Sequence, residues 1–404
     1  QMINFILPAP FSLLVAILMM IGTYKLGGLL LSNKSLGYVF QKISNINFQK
    51  LLAGHIVSLL ILFPLIAIFK NSNFFLKSFA WLLILLSLIE IFNFFKGIRK
   101  IEFNALYKDK FLFLNALILT LYLLLTSSPE TSADTLDYHI GTALNILRFD
   151  SYIFLPEWFT SIQSGIGEIL IALGYSAGSE QYGSLIQFSS LLSISGIIFK
   201  ICENKKFFNS KYIANLIVIS CPVLLFLTSG SKPQLFFSAL LFVALSIILS
   251  EDKKNKLFSY FIICLLIFIS IAGKFSFNLS GFLIWAFATF KFFSIKDSFK
   301  LFLLTMLCFL FILCPFIYLK WSSLGGNFIS YFFTPFPLHL PGYENFLEHI
   351  RSPTYVKFPY FLFYNTSLSR ISETLAFSSI LLVFLIYNLN FKNILKSKTK
   401  FEPS

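Results

Sequence analysis

The fold class predicted by this sequence is an all-α, polytopic membrane protein, on three observations. Of its 404 residues, 57% are hydrophobic and only 12% are charged, where a soluble domain carries about 25% charged residues. The apolar residues fall in runs long enough to form membrane helices. The cations are concentrated in every second loop between those runs, the pattern set by the positive-inside rule. Polar surface is too scarce here to cover a water-soluble body.

Apolar runs near the required ~20 residues predict spans at 4–30, 51–69, 74–95, 111–126, 183–200, 212–228, 234–250, 257–273, 276–293, 300–320 and 375–391, about eleven transmembrane helices. The loops 32–50, 96–110, 200–211, 251–256, 291–300 and 391–404 hold 22 lysines and arginines. The opposite loops hold nine, and Lys25 lies inside the first span. The richer set is therefore expected in the cytoplasm, with the N-terminus outside and the C-terminus inside. The net charge of +14 is explained by these loops, so no nucleic-acid partner is expected. Cys202, Cys221, Cys264, Cys308 and Cys314 lie in apolar runs or at a loop edge, and no CxxC or HExxH spacing occurs. Neither a disulfide framework nor a metal motif is predicted.

The organisation expected is a single transmembrane domain over 1–404 with two long outer regions, 127–182 and 321–374. Two tight outer turns, 229–233 and 272–275, lie between them. Residues 165–178 form a short apolar segment. If it crossed, Lys200, Lys205, Lys206 and Lys211 would move outside, so it reads as an interfacial or re-entrant helix returning to the outer side.

That outer side gathers polarity: ten of the eighteen acids and three of the four histidines fall there, including Glu130, Asp134, Asp137, Glu168 and His139. Residues 132–148 read as an amphipathic helix with Asp134 at its N-cap. Asp134, Asp137, Tyr138 and Gly141 would share one face. Two acids so placed could bind a hydroxyl or a metal, or act as a general base. They could equally do no more than stabilise the helix start through its dipole. Lys232 and Lys274, one in each tight turn, suit a lipid phosphate, or else simply snorkel to the interface. Arg351, Lys357 and Arg370, in the second long outer region, could add phosphate contacts or touch headgroups. His55 and Glu90 lie inside early spans, where a mutual hydrogen bond, helix packing or function would account for them.

The string SADTLDYH (132–139), followed by Gly141, Pro156 and Gly167 with Glu168, resembles the first outer loop of bacterial GT-C-type polytopic glycosyltransferases. The lysine turns Ser231 to Gln234 and Gly273 to Ser276 are similar to turns of the same group. Gly326 and Asn327, followed by Pro335, Phe336 and Pro337, are similar to a late Gly-Asn-Pro/aromatic motif, although Phe328 stands where that motif has its proline. The resemblance covers about residues 110–345 and leaves out the first three spans.

The resemblance implies a bacterial inner-membrane enzyme that moves a sugar from a polyprenyl-phosphate donor to a glycan, lipid or protein acceptor, with inversion. It implies Asp137 or Asp134 as the catalytic base, with Asp137 favoured because Tyr138 and His139 follow it in the motif. Tyr138, His139, Glu168 and Asn327 would contact substrate. Lys232 and Lys274, assisted by Arg148 or Arg351, would hold the lipid phosphate. The other acid would orient the acceptor or hold a divalent cation, Mg or Mn, and no other cofactor is implied. Membrane lipids are the other expected partner. A polysaccharide polymerase or ligase, a lipid-linked glycan transporter and a non-catalytic membrane subunit are the rival readings. The few outer arginines disfavour the first, and acids at the surface rather than the midplane disfavour the second.

Overall fold

The computed structural model describes residues 6–69, 71–96, 110–204, 211–250, 256–295 and 297–333. Among them the protein is all-α. In chain order the main helices are α1 (Phe11–Leu31), α2 (Lys34–Ile43), α3 (Ile46–Ile68), α4 (Ser72–Lys96) and α5 (Lys110–Thr126). A wide turn with i to i+5 bonding (Thr135–Ile140) leads into α6 (Gly141–Arg148), and α7 (Glu168–Ser176) follows. Then come α8 (Tyr182–Asn204), α9 (Lys211–Ile219), α10 (Pro222–Ser229), α11 (Gln234–Ser250), α12 (Lys256–Gly273), α13 (Asn278–Phe292), α14 (Ser298–Cys308) and α15 (Cys314–Leu324).

Among the described residues six helices are long and apolar enough to cross a membrane: α1, α3, α4, α8, α12 and the continuous stretch Ser298–Leu324. The pair α9 and α10 makes a seventh if counted as one span, although it bends by 71°. The chain is a multi-pass membrane protein. The bend falls where the expected span 212–228 had been drawn straight. Cys221 precedes a proline and is extended (ψ 122°), which ends α9, because the residue before proline is pushed out of the helical region. α5 and α11 have 17 residues each, matching their expected runs to within a residue, and α13 has 15, shorter than the expected run 276–293. The expected span 375–391 lies outside the described residues.

Lipid-facing helices show it in their exposure. Only 28% of the apolar window of α4 is buried, and Trp81, on that helix, is 65% exposed. Such faces need no protein cover where lipid is the solvent. Helix contacts inside the bundle rely instead on close approach and on polar pairs. α1 packs on α3 and α4 through glycines. A Cβ on Gly27 would lie 1.8 Å from the Lys50 carbonyl, and one on Gly54 would lie 2.1 Å from the Thr23 carbonyl. Asn215 Nδ2 donates to Asn115 Oδ1 at 2.8 Å, and the Tyr122 hydroxyl donates to the Ile219 carbonyl at 2.6 Å. These bonds tie α9 to α5.

His55 and Glu90 are not partners. His55 is fully buried, edge-on to the Tyr182 and Phe236 rings. Glu90 pairs with Lys25 at 2.9 Å, joining α4 to α1. α2, which sequence reading left in a loop, is capped by Asn33, whose side chain accepts from Ser35 N and Leu36 N. The expected interfacial segment 165–178 contains α7, nine residues long and so about 13 Å, too short to cross. It does not lie on a surface either. Its residues from Glu168 to Tyr175 are all buried, with α3, α4, α6 and α8 packed around them.

Gly54→Ala is expected to force α1 and α3 apart and lower stability by about 1–3 kcal/mol. Gly28→Ala, whose Cβ would meet only the Lys50 side chain at 3.6 Å, serves as the tolerated control. Thermal unfolding in detergent checks both.

Candidate functional site

Four segments distant in sequence meet at the end of the bundle that carries the loop from 127 to 182. They are the 130–142 turn, the 158–168 loop, the 230–234 turn and the 272–277 turn. Glu130 joins the first to the third. Its carboxylate accepts from the Ser231 amide at 2.6 Å and from the Thr131 and Ser132 amides at 3.1 and 2.8 Å. The second and fourth are joined by the Ile166 amide, which donates to the Ala272 carbonyl at 3.1 Å. Gly165 makes that approach feasible, since a Cβ there would sit 1.9 Å from the Gly273 carbonyl.

The turn at 135–140 decides where the motif's side chains go. Its wide i to i+5 geometry places Tyr138, His139 and Ile140 all on the buried side. Asp134 and Asp137 stay exposed. Asp134 is not the helix cap expected of it, because its side chain makes no cap hydrogen bond. It accepts instead from Lys232 Nζ at 3.0 Å, across 98 residues of chain. Asp137 accepts from the indole nitrogen of Trp158 at 3.1 Å through Oδ1. Neither acid therefore spends its carboxylate on the helix start.

Behind the pair lies a buried dyad. His139 Nδ1 and Glu168 Oε1 are 2.6 Å apart, with the side chains 1% and 0% exposed. Glu168 Oε2 accepts from the Gly165 amide at 2.9 Å. Burial pushes the His139 pKa below its ordinary value, against the pull of Glu168 and with Lys274 and Lys232 adding to the depression. With Nδ1 facing the carboxylate, the ring donates Nδ1–H to Glu168. Nε2 and the Thr135 hydroxyl are buried with no hydrogen-bond partner among the described residues. The Tyr138 ring rests on the His139 ring, centroids 4.1 Å apart, and burial, then Glu168, Asp134 and Asp137, raises its phenol pKa.

The lysines of both tight turns come to this cluster. Lys232 is 4% exposed, and its amine lies over the Phe226 ring. Lys274 is partly buried. Burial, then the charge of Lys232, lowers its pKa to about 8, against Glu168 and Asp134. Among the described residues its amine has no hydrogen-bond acceptor and no ion-pair partner. A third lysine was not singled out from sequence. Lys320 is 5% exposed, donates to the Ile162 carbonyl at 2.7 Å and lies over the Phe154 and Phe316 rings. Nothing local marks it, since its acceptor is a backbone oxygen 158 residues away.

Other expected site residues are not drawn in. Arg148 is exposed, its guanidinium over the ring of its neighbour Phe149. Asn327 uses its side chain to accept from the Ile329 amide at 2.9 Å, capping a short turn. Arg351 lies outside the described residues, as do Pro335 and Pro337. No cluster of three or more histidine, cysteine or acidic side chains able to hold a metal occurs among the described residues. Asp134 and Asp137 face a lysine and an indole rather than a common point.

Glu168→Ala leaves His139 Nδ1 and the Gly165 amide without their partner in a dry site and is expected to cost at least about 1–3 kcal/mol. A double-mutant cycle with His139→Phe, read by denaturant unfolding, is expected to return a coupling above about 1 kcal/mol.

No curated protein and no solved structure matches the chain. A family model, described as the DUF1420 N-terminal domain, matches residues 100–399, a stretch that includes every element of the cluster just described. The description states no activity. With that match over well more than half of its length, this multi-pass helical membrane protein belongs to the DUF1420 family.

Proposed function

We propose that the protein is a membrane glycosyltransferase that takes a sugar from a polyprenyl-phosphate donor at the outer membrane face. One observation carries the reading. Two lysines from separate turns meet beside the acids of the 134–168 motif, and one of them, Lys274, holds an amine with no anionic partner in contact among the described residues. A cationic spot with an unanswered charge beside carboxylates has the polarity that such a transfer needs: a base on one side and leaving-group stabilisation on the other.

In this reading Asp137 is the base. It is exposed, and Trp158 holds it through one oxygen, which leaves the other to accept a proton. The acceptor hydroxyl gives its proton to Asp137, and its oxygen bonds to the anomeric carbon. The bond from that carbon to the phosphate oxygen breaks, and the electron pair leaves with the phosphate, whose charge Lys232 and Lys274 receive. The configuration inverts. His139 and Glu168 shape the floor of the site. The acceptor is a glycan, a lipid or a protein. The topology belonging to this reading crosses a bacterial inner membrane about eleven times, with the bent and shorter helices among the crossings. Its N-terminus is outside and its C-terminus cytoplasmic.

Asp137→Asn is expected to keep its unfolding temperature while transfer from a polyprenyl-phosphate sugar in proteoliposomes falls by about 10²-fold or more. Full activity in that variant would remove Asp137 from the role. Lys274 is charged only below its pKa of about 8, so affinity for the anionic donor is expected to fall as pH rises through 8. Lys274→Arg, charged throughout, is expected to flatten that profile in a binding titration.

A further inference from the structure

We propose that Asp134 is the resident anion of a phosphoryl-binding site. Its carboxylate occupies Lys232 until a phosphate monoester or phosphodiester group displaces it. The inference rests on the phosphate-binding reading of Lys232 and Lys274 and adds what fills that site beforehand.

The pair is lopsided. The side chain of Lys232 is 5% exposed and that of Asp134 is 66% exposed. The cation is fixed: its amine lies over the Phe226 ring, and the preceding amide, Ser231 N, is held by Glu130. A buried cation cannot be left without a counter-charge except at large cost. The exposed carboxylate is under no such constraint, because water solvates it as soon as it swings away. The exchangeable member is therefore the anion.

The neighbouring acids behave differently. Glu168 is fully buried between His139 and the Gly165 amide. Glu130 is held by three backbone amides. Asp137 is held by an indole. Among the described acids of this cluster, Asp134 alone is tied to the lysine turns by a side-chain amine. Lys274 supplies the driving force for exchange. It feels the charges of both Lys232 and Asp134 yet has no anion in contact among the described residues. One carboxylate answers one lysine, whereas a phosphoryl group, with several oxygens and up to two charges, can answer both.

The test uses the full chain in phosphatidylcholine nanodiscs, with farnesyl phosphate, inorganic phosphate and uncharged farnesol as probes in calorimetric titrations. Asp134→Asn removes the internal competitor. It is expected to bind farnesyl phosphate about twofold to fivefold more tightly than the unaltered protein, the amount an ion pair with a solvent-exposed carboxylate is worth. Asp134→Glu keeps a resident carboxylate and is expected to bind as the unaltered protein does. Lys232→Met is expected to abolish the gain in the Asp134→Asn background, and farnesol is expected to show no dependence on residue 134. A gain seen with inorganic phosphate as well identifies a phosphoryl site that does not need the prenyl chain. A gain confined to farnesyl phosphate identifies a lipid headgroup.

The exchange is overturned if Asp134→Asn, folded by its melting curve, binds farnesyl phosphate no tighter than the unaltered protein, or if Asp134→Glu tightens binding as much as the amide does. Either result leaves the lysines as phosphate ligands. If neither phosphate probe binds the unaltered protein or Asp134→Asn, the phosphate reading itself fails, and this inference fails with it.

Discussion

The cluster at the loop-bearing end of the bundle depends on one buried carboxylate. Glu168 sits at the first position of a helix that is enclosed on every side. One of its oxygens fixes His139 and the other fixes the Gly165 amide. The residue after Gly165 then bonds to Ala272, two residues before Lys274. A single acid thus sets the position of the SADTLDYH turn, of the glycine-rich loop and, through that loop, of the second lysine turn. An unpaired carboxylate at this depth would be very costly, so the three segments and the acid require one another.

Glu130 does the corresponding work on the other side. It brings the first lysine turn under the same motif by accepting from the Ser231 amide. Between these two anchors lie three lysines, one of them paired with Asp134, and the His139 imidazole. The charge of Glu168 reaches both Lys274 and Lys320. The acids of the cluster differ in how they are held: Glu130 and Glu168 accept from backbone amides, whereas Asp134 is exposed and accepts from a lysine amine.

Lipid as a solvent explains why so much polarity is packed into one end. Side chains on the outer faces of α1, α4, α13 and α14 stay apolar and uncovered, Phe290 being 85% exposed. Some polar groups inside the helices are answered by neighbours, as in the Asn115–Asn215 and Lys25–Glu90 pairs, whereas both His55 nitrogens and the Ser195 and Ser259 hydroxyls are buried with no hydrogen-bond partner among the described residues. The charges that remain are those able to meet water or a ligand, and they gather where the loops do.

Composition and cation spacing were enough to determine a helical, multi-pass membrane protein, because lipid tolerates few other backbone solutions. The motif residues Asp134, Asp137, His139 and Glu168, and the two lysine turns, were also legible as polar interruptions of an apolar chain. Their roles were not. Asp134 reads as a cap in sequence because helix starts favour aspartate, yet its partner is a lysine 98 residues away. His139 and Glu168 read as two separate contacts, and folding makes them one dyad. Lys320 and Trp158 carried no signal, since what defines them is a distant carbonyl and a distant carboxylate. Arg148 shares the motif's loop but points away from its lysines. Local pattern reports which side chains cannot be left in lipid. Which of them face one another is decided by the close approach of turns at Gly165 and by the wide turn at 135–140, and these exist only in the folded chain.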